Sequence, residues 1–296
     1  MPNQFLENGK KGKNSWWRYL TTTFLSWGVL IVMILSFAFY FIFFGLSIEL
    51  LTFLSWSISM IVFYICVKTI HKKDVMSLVN VSKGKDIAGK SISWIKRIRW
   101  NKFLKGALLW SIFLAITSII SYIFNPNSFI INFNIYHIAM MILLFIIVIP
   151  IQVTFGELFF RGYLLQGLSL KVKSPITIIL ISSLIFSLGQ LIGDSIIFMI
   201  QNVSIAFIIG IIFCGFTLVD NGIELATGAH LANSFFAFII SSSERSLGNF
   251  NTIIQSVNID PIIDNILTIT TLLIFAFILF LYKKEDVLKA LNMQSK

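Results

Sequence analysis

Charge is scarce in this 296-residue chain: Asp, Glu, Lys and Arg make up 12% of it, against about a quarter in an ordinary soluble domain. That shortage excludes a conventional water-soluble fold. Cysteine is limited to Cys66 and Cys214, both inside apolar runs. They read as small core residues, with no disulfide framework and no metal-type spacing. Internal repeats, low-complexity tracts and a second soluble domain are also missing.

What the chain has instead is apolar length. Hydrophobic residues reach 57% and mean hydropathy +0.88. Windows of about 20 apolar residues cross a bilayer as helices, and eight stand out: 21–45, 48–68, 104–125, 136–158, 175–193, 195–219, 222–243 and 262–282. The fold class expected is all-α, a polytopic transmembrane bundle of about eight helices. The first run is too long for a signal-peptide core and is expected to stay. Pro150 is expected to kink the fourth helix and Pro175 to open the fifth.

The net charge of +10 invites a nucleic-acid partner, but its distribution argues against one. With the N-terminus inside, 22 of the 23 basic residues fall on inside segments, leaving Arg245 outside. That is the positive-inside pattern of a multi-pass membrane protein with both termini cytoplasmic. The lipid bilayer is therefore the first expected partner. Along the chain this gives a basic cytoplasmic lead-in (1–20), N-terminal transmembrane helices with a basic loop (21–130, loop 69–102), a polar-bearing core (135–245), and a last helix with a cytoplasmic tail (262–296). Trp16, Trp17 and Arg18 suit an interfacial anchor, residues 92–100 a short helix on the membrane surface, and 125–134 a plain turn.

One apolar stretch carries charge: Phe155 to Gly162 contains Glu157 and Arg161. An isolated ion in lipid costs roughly 2.5 kcal/mol or more. The spacing of four lets the two share a helix face and neutralise each other. His71, in the basic loop, and His137, at a helix end, look incidental. His230 does not. Glu224, Thr227, His230 or Asn233, and Ser234 recur at three- and four-residue steps, a polar stripe on an apolar helix. Gly228 and Ala229 would let a neighbouring helix come close. In the fifth helix, Gln190 follows Phe186 by one turn. One intramembrane His with one paired Glu falls short of the three protein ligands a catalytic zinc takes, so no metal or cofactor is expected.

The blocks FGELFFRGYLLQG (155–167), FSLGQ (186–190) and NGIELATGAHLANSFFAF (221–238) resemble those of the CPBP family. That family includes type II CAAX prenyl endopeptidases and bacteriocin-processing and immunity proteins. The resemblance implies a CAAX-protease-like core, with a site open to the cytoplasm that cuts near the C-terminus of a lipidated or membrane-held substrate. The family's pattern is Glu-Glu-x-x-x-Arg, Phe-x-x-x-His and His-x-x-x-Asn. Its first Glu and first His activate water, while the later His and the Asn hold the oxyanion. In this chain Gly156 stands for the first Glu, Gln190 for the first His, and Ser234 for the Asn, with Asn233 beside it. Glu157, Arg161, Phe186 and His230 match.

Neither glycine nor a neutral amide accepts a proton near pH 7. Two functions therefore stay open. One is a non-catalytic or weak homologue that binds a prenylated or hydrophobic peptide or another membrane protein. There Glu157–Arg161 would brace the fourth helix, Gln190, His230, Asn233 and Ser234 would satisfy one another, and Gly156 would permit close packing. The other is an active intramembrane endopeptidase using Glu157 and His230, for which those two groups must lie within about 4 Å. A transporter would need a continuous polar path or paired broken helices, and the sequence shows neither.

Overall fold

The computed structural model describes residues 3–44, 48–82, 91–131, 133–191, 195–243, 252–257 and 260–291. Arg245 and the His137 side chain are not among them. The helices run α1 (Gln4–Glu7), α2 (Trp16–Phe44), α3 (Ile48–Thr69), α4 (Met76–Val79), α5 (Trp94–Arg97), α6 (Trp100–Phe124), α7 (Ile135–Ile147), α8 (Ile149–Glu157), α9 (Leu165–Leu168), α10 (Pro175–Leu188), α11 (Ile196–Asp220), α12 (Glu224–Phe235), α13 (Pro261–Tyr282) and α14 (Lys284–Ala290). Leu158–Leu164, joining α8 to α9, and Phe236–Ile240, after α12, wind as π-helix.

Each of the eight apolar runs carries a helix, and the chain is an all-α polytopic bundle. Among the described residues four helices are long and apolar enough to cross a membrane, or five if the bent pair α7–α8 counts as one span. Helix α10, with 14 residues, and α12, with 12, are shorter. At 1.5 Å per residue they reach only about 21 and 18 Å.

Local chemistry sets several boundaries. Pro150 lies in the first turn of α8, beside a break at which the helix axis turns by 41°. Pro175 opens α10, where a missing N–H costs nothing, and the Ser174 side chain accepts from Thr177 N. Asn221 ends α11 in the left-handed region, with φ of 53°, a C-cap geometry asparagine tolerates. Asp260 caps α13 ahead of Pro261.

Two apolar clusters hold the bundle. One packs Phe63, Phe155, Phe159 and Tyr163 with Ile178 and Leu218; the other packs Trp110, Phe113 and Phe213 with Ala226, Ala229 and Leu272. Helices α6 and α12 touch backbone to backbone. A Cβ on Gly228 would fall 1.9 Å from the Phe103 carbonyl oxygen, and one on Gly106 would fall 1.9 Å from that of Leu225. Gly228 therefore permits the close approach its position suggested.

Three features depart from the sequence pattern. Residues 125–134 are more than a turn: β1 (Phe129–Ile131) pairs antiparallel with β3 (Ile254–Ser256), which pairs parallel with β2 (Ser241–Ser243). The β1–β3 pairing joins segments more than a hundred residues apart and leaves no local periodicity. The surface helix near 92–100 is a single turn, α5, with Trp94 and Ile95 exposed. The lead-in is folded, not free. Phe5 is fully buried in the first core cluster, Asn3 Nδ2 donates to Leu218 O, and Asn8 Nδ2 donates to Ser77 O and Asn80 O.

That last feature gathers the basic segments at one end of the bundle. Arg99 binds Glu224 and the Asp220 carbonyl, and Lys102 pairs with Asp220. Asn80 also donates to Glu224. The N-terminal segment, the loop from Ile70 to Ser82, and the ends of α6, α11 and α12 thus share one polar seam.

Candidate functional site

Glu157 closes α8 and is completely buried. The next residues wind with i→i+5 bonding, a wider turn typical of functional sites, and carry Arg161 back over it. Arg161 Nη1 donates to Glu157 Oε1 at 3.1 Å, with the two side chains 1% and 0% exposed. The pairing expected from their spacing is present. The guanidinium lies 4.2 Å from the Phe186 ring centroid and 5.4 Å from that of Phe213, a cation–π contact that is strongest when desolvated.

His230 completes the cluster. Its Nδ1 lies 2.7 Å from Glu157 Oε1, so the two residues meet the distance the catalytic alternative required. Arginine keeps its charge in proteins, and Glu157, paired to it, serves as a carboxylate acceptor. His230 Nδ1 therefore donates, which leaves Nε2 as the ring nitrogen free to accept. The imidazole stands between Phe186 and Phe213, with centroids 6.3 and 5.9 Å away, and its side chain is 22% exposed. Glu157 Oε2 and Arg161 Nε and Nη2 have no hydrogen-bond partner among the described residues.

The other candidates do not join this cluster. Helix α10 stops at Leu188, closed by Gly189 N donating to Phe186 O and Gln190 N donating to Ser187 O. Gln190 consequently sits exposed in a turn. Its expected place on the helix, facing the chamber, is corrected by that early stop. Asn233 is engaged elsewhere, accepting at Oδ1 from Trp110 Nε1 at 3.0 Å. Because indole N–H only donates, this bond orients the carboxamide. Ser234 is buried on α12, four residues beyond His230. The mutual satisfaction of Gln190, His230, Asn233 and Ser234 is thus replaced by two separate pairs, His230–Glu157 and Asn233–Trp110. Trp110 gave no polar signal in the sequence, since it looks like any aromatic of an apolar helix.

Gly156 also behaves differently from expectation. Among the described residues a Cβ there would meet nothing within 4 Å, so close packing is not its role, and space for a side chain exists. An apolar cavity of about 230 Å³ opens between α6, α8 and α12, lined among others by Trp100, Phe103, Val153, Thr154, Leu158, Thr227 and Leu231. Thr154 and Thr227 each precede a member of the Glu157–His230 pair by three residues, so the cavity runs along the same α8–α12 seam. No group of three or more His, Cys, Asp or Glu side chains placed to hold a metal occurs among the described residues.

Residues 134–236, which contain this cluster, match the family model described as type II CAAX prenyl endopeptidase Rce1-like. The chain is also 24% identical over 193 residues to the uncharacterized protein YyaK of Bacillus subtilis (strain 168). That match covers 64% of each chain, a little under two thirds of the relative's length. The likeness to the Rce1-like family of type II CAAX prenyl endopeptidases thus lies in the core at 134–236, the part of the chain that carries the Glu157–Arg161–His230 cluster.

Proposed function

We propose that the protein is a membrane-embedded binding member of its family, one that holds a prenylated or hydrophobic peptide, or a membrane-protein partner, without cutting it. The observation that carries this reading is the state of the two water-activating positions. Gly156 offers no acceptor, and Gln190 lies exposed outside the cluster. The one carboxylate present already accepts from Arg161 and His230 through the same oxygen. With His230 neutral, the charges of Glu157 and Arg161 cancel. The apolar cavity along the α8–α12 seam supports the binding half of the proposal, since it suits a chain of hydrocarbon character.

A second mechanism is favoured by the 2.7 Å bond itself: an imidazole oriented by a carboxylate, with Nε2 free, is the arrangement of a general base. Binding and cleavage of prenylated and unmodified hydrophobic peptides by the purified protein in lipid separate the two. The panel compares wild type, His230→Ala and a Gly156→Glu/Gln190→His double variant. Wild type is expected to retain intact prenylated peptide, and the double variant to stay silent too, because position 190 lies outside the cluster. Wild-type turnover that vanishes in His230→Ala would instead establish the His230 mechanism.

The basic end is assigned to the cytoplasmic side on the positive-inside rule. A cysteine placed at Lys10 should be shielded from membrane-impermeant reagents in intact cells, and ready labelling there would reverse the orientation.

A further inference from the structure

The inner end of the bundle holds a second set of buried titratable side chains that the function above does not use. His71, far from incidental, is 1% exposed. Its backbone carbonyl accepts from Lys13 N at 2.7 Å, and its Nδ1 lies 2.9 Å from the Lys13 carbonyl oxygen. A carbonyl only accepts, so Nδ1 carries the hydrogen. Nε2 lies 2.8 Å from Tyr163 Oη, and in the neutral ring it accepts the tyrosine's hydrogen. Tyr163 Oη also lies 3.4 Å from the Tyr19 carbonyl oxygen. The single hydroxyl hydrogen thus has the His71 ring and the Tyr19 carbonyl as alternative acceptors.

We propose that His71 is a proton-operated switch: protonation at the inner face reverses the His71–Tyr163 hydrogen bond, turns the Tyr163 hydroxyl toward the Tyr19 carbonyl and passes the change into the π-helical turn that carries Arg161. On taking up one proton from solvent, Nε2 becomes a donor to Tyr163 Oη. Tyr163 keeps its own proton and redirects it to the Tyr19 carbonyl. Every group has a partner in both states, so neither state leaves an orphaned buried donor. The change in length is unequal, however. Tyr163 must move to shorten a 3.4 Å contact, and it lies two residues from Arg161.

The surroundings set the direction of the response. Lys11 and Lys13 approach from the N-terminal segment, Arg18 and Tyr19 from α2, Cys66 from α3, Lys73 from the same loop as His71, and Tyr163 from the π-turn. None is a carboxylate. Burial, with Lys73 and Arg18, holds the imidazole below the ordinary histidine range. Burial together with Lys11 pushes Lys73 down to about 7. Lys73 Nζ donates to Gln166 Oε1 at 2.7 Å, and Gln166 Nε2 donates to Ser77 O at 2.8 Å. Both titrating groups therefore grip residues 163–166. The unfolded chain binds more protons than the folded one between each depressed value and its ordinary one, so stability rises with pH through these windows and falls on acidification. For His71 that window lies below 6.5, and for Lys73 it runs from about 7 to 10.5.

The chain has three histidines, so nitrogen-15 spectra of histidine-labelled protein in lipid nanodiscs can be assigned by single substitutions. Hydrogen exchange over residues 160–168 is followed in parallel from about pH 8 to about pH 5, where histidine titrates. In the wild type, His71 is expected to pass from the Nδ1–H tautomer to imidazolium, and exchange at 160–168 to change with the same midpoint. His71→Gln should abolish the exchange step that shares the His71 midpoint, leaving a step near 7 that belongs to Lys73. Tyr163→Phe should leave His71 titrating but uncouple it from 160–168. A wild-type His71 that stays neutral throughout, or titrates with no change at 160–168, would overturn the proposal. So would a step at the His71 midpoint that persists in His71→Gln.

Discussion

Glu157→Gln should lower the stability of the detergent- or lipid-embedded protein by about 3–5 kcal/mol, the usual loss when one member of a buried ion pair is removed. Glutamine keeps the shape and still accepts hydrogen bonds from Arg161 and His230, so the substitution isolates charge. Arg161, 1% exposed, cannot shed its proton as a lysine would. Its contact with Phe186 at 4.2 Å contributes about 0.5–2 kcal/mol, too little to replace a carboxylate. An Arg161→Gln partner substitution should recover much of the loss, because a neutral pair leaves no buried ion. Thermal unfolding of the two single variants and the double variant tests this. A Glu157→Gln midpoint matching wild type would mean that the pair is not the brace described above.

Two glycines should respond in opposite directions to the same added methyl group. At Gly228 the new Cβ would lie 1.9 Å from the Phe103 carbonyl oxygen and 3.0 Å from Ala107 N. These are backbone atoms of α6, and only a shift of the whole helix relieves them. Overpacking of that kind costs about 1–3 kcal/mol, sometimes more. The shift would also strain the Trp110–Asn233 and Arg99–Glu224 bonds, which span the same interface. Gly228→Ala should therefore destabilise by at least that range, and Gly228→Leu should not yield folded protein. At Gly156 nothing among the described residues lies within 4 Å, and alanine is the better helix former by about 0.8–1 kcal/mol. Gly156→Ala should raise the unfolding midpoint. Equal effects at the two sites would contradict the α6–α12 contact.

Much of this was legible in the residues themselves. The spacing of Glu157 and Arg161, the polar stripe around His230, the small residues at Gly228 and Ala229, and the prolines at 150 and 175 are each patterns that show within a turn or two of sequence. What escaped depends on distance along the chain. His230 meets Glu157 at a separation of 73 positions, and Trp110 meets Asn233 at a separation of 123. Neither contact alters any local pattern. Gln190 misled because helical spacing was extended two residues past the point where Gly189 ends α10. His71 misled for a related reason. Its loop is polar and basic, yet the N-terminal segment folds over it and buries it.

The π-helical stretch from Leu158 to Leu164 makes the length of this segment part of its chemistry. Each residue of an α-helix advances the chain by about 100° and 1.5 Å. Inserting one more residue here would turn everything after it by roughly that angle. Tyr163 and Gln166 would swing away from His71, Lys73 and Ser77, while Glu157 stayed where it is. Substitutions in this segment change one contact at a time, but a change in its length would break several together. Among related chains this stretch should therefore vary in composition before it varies in length.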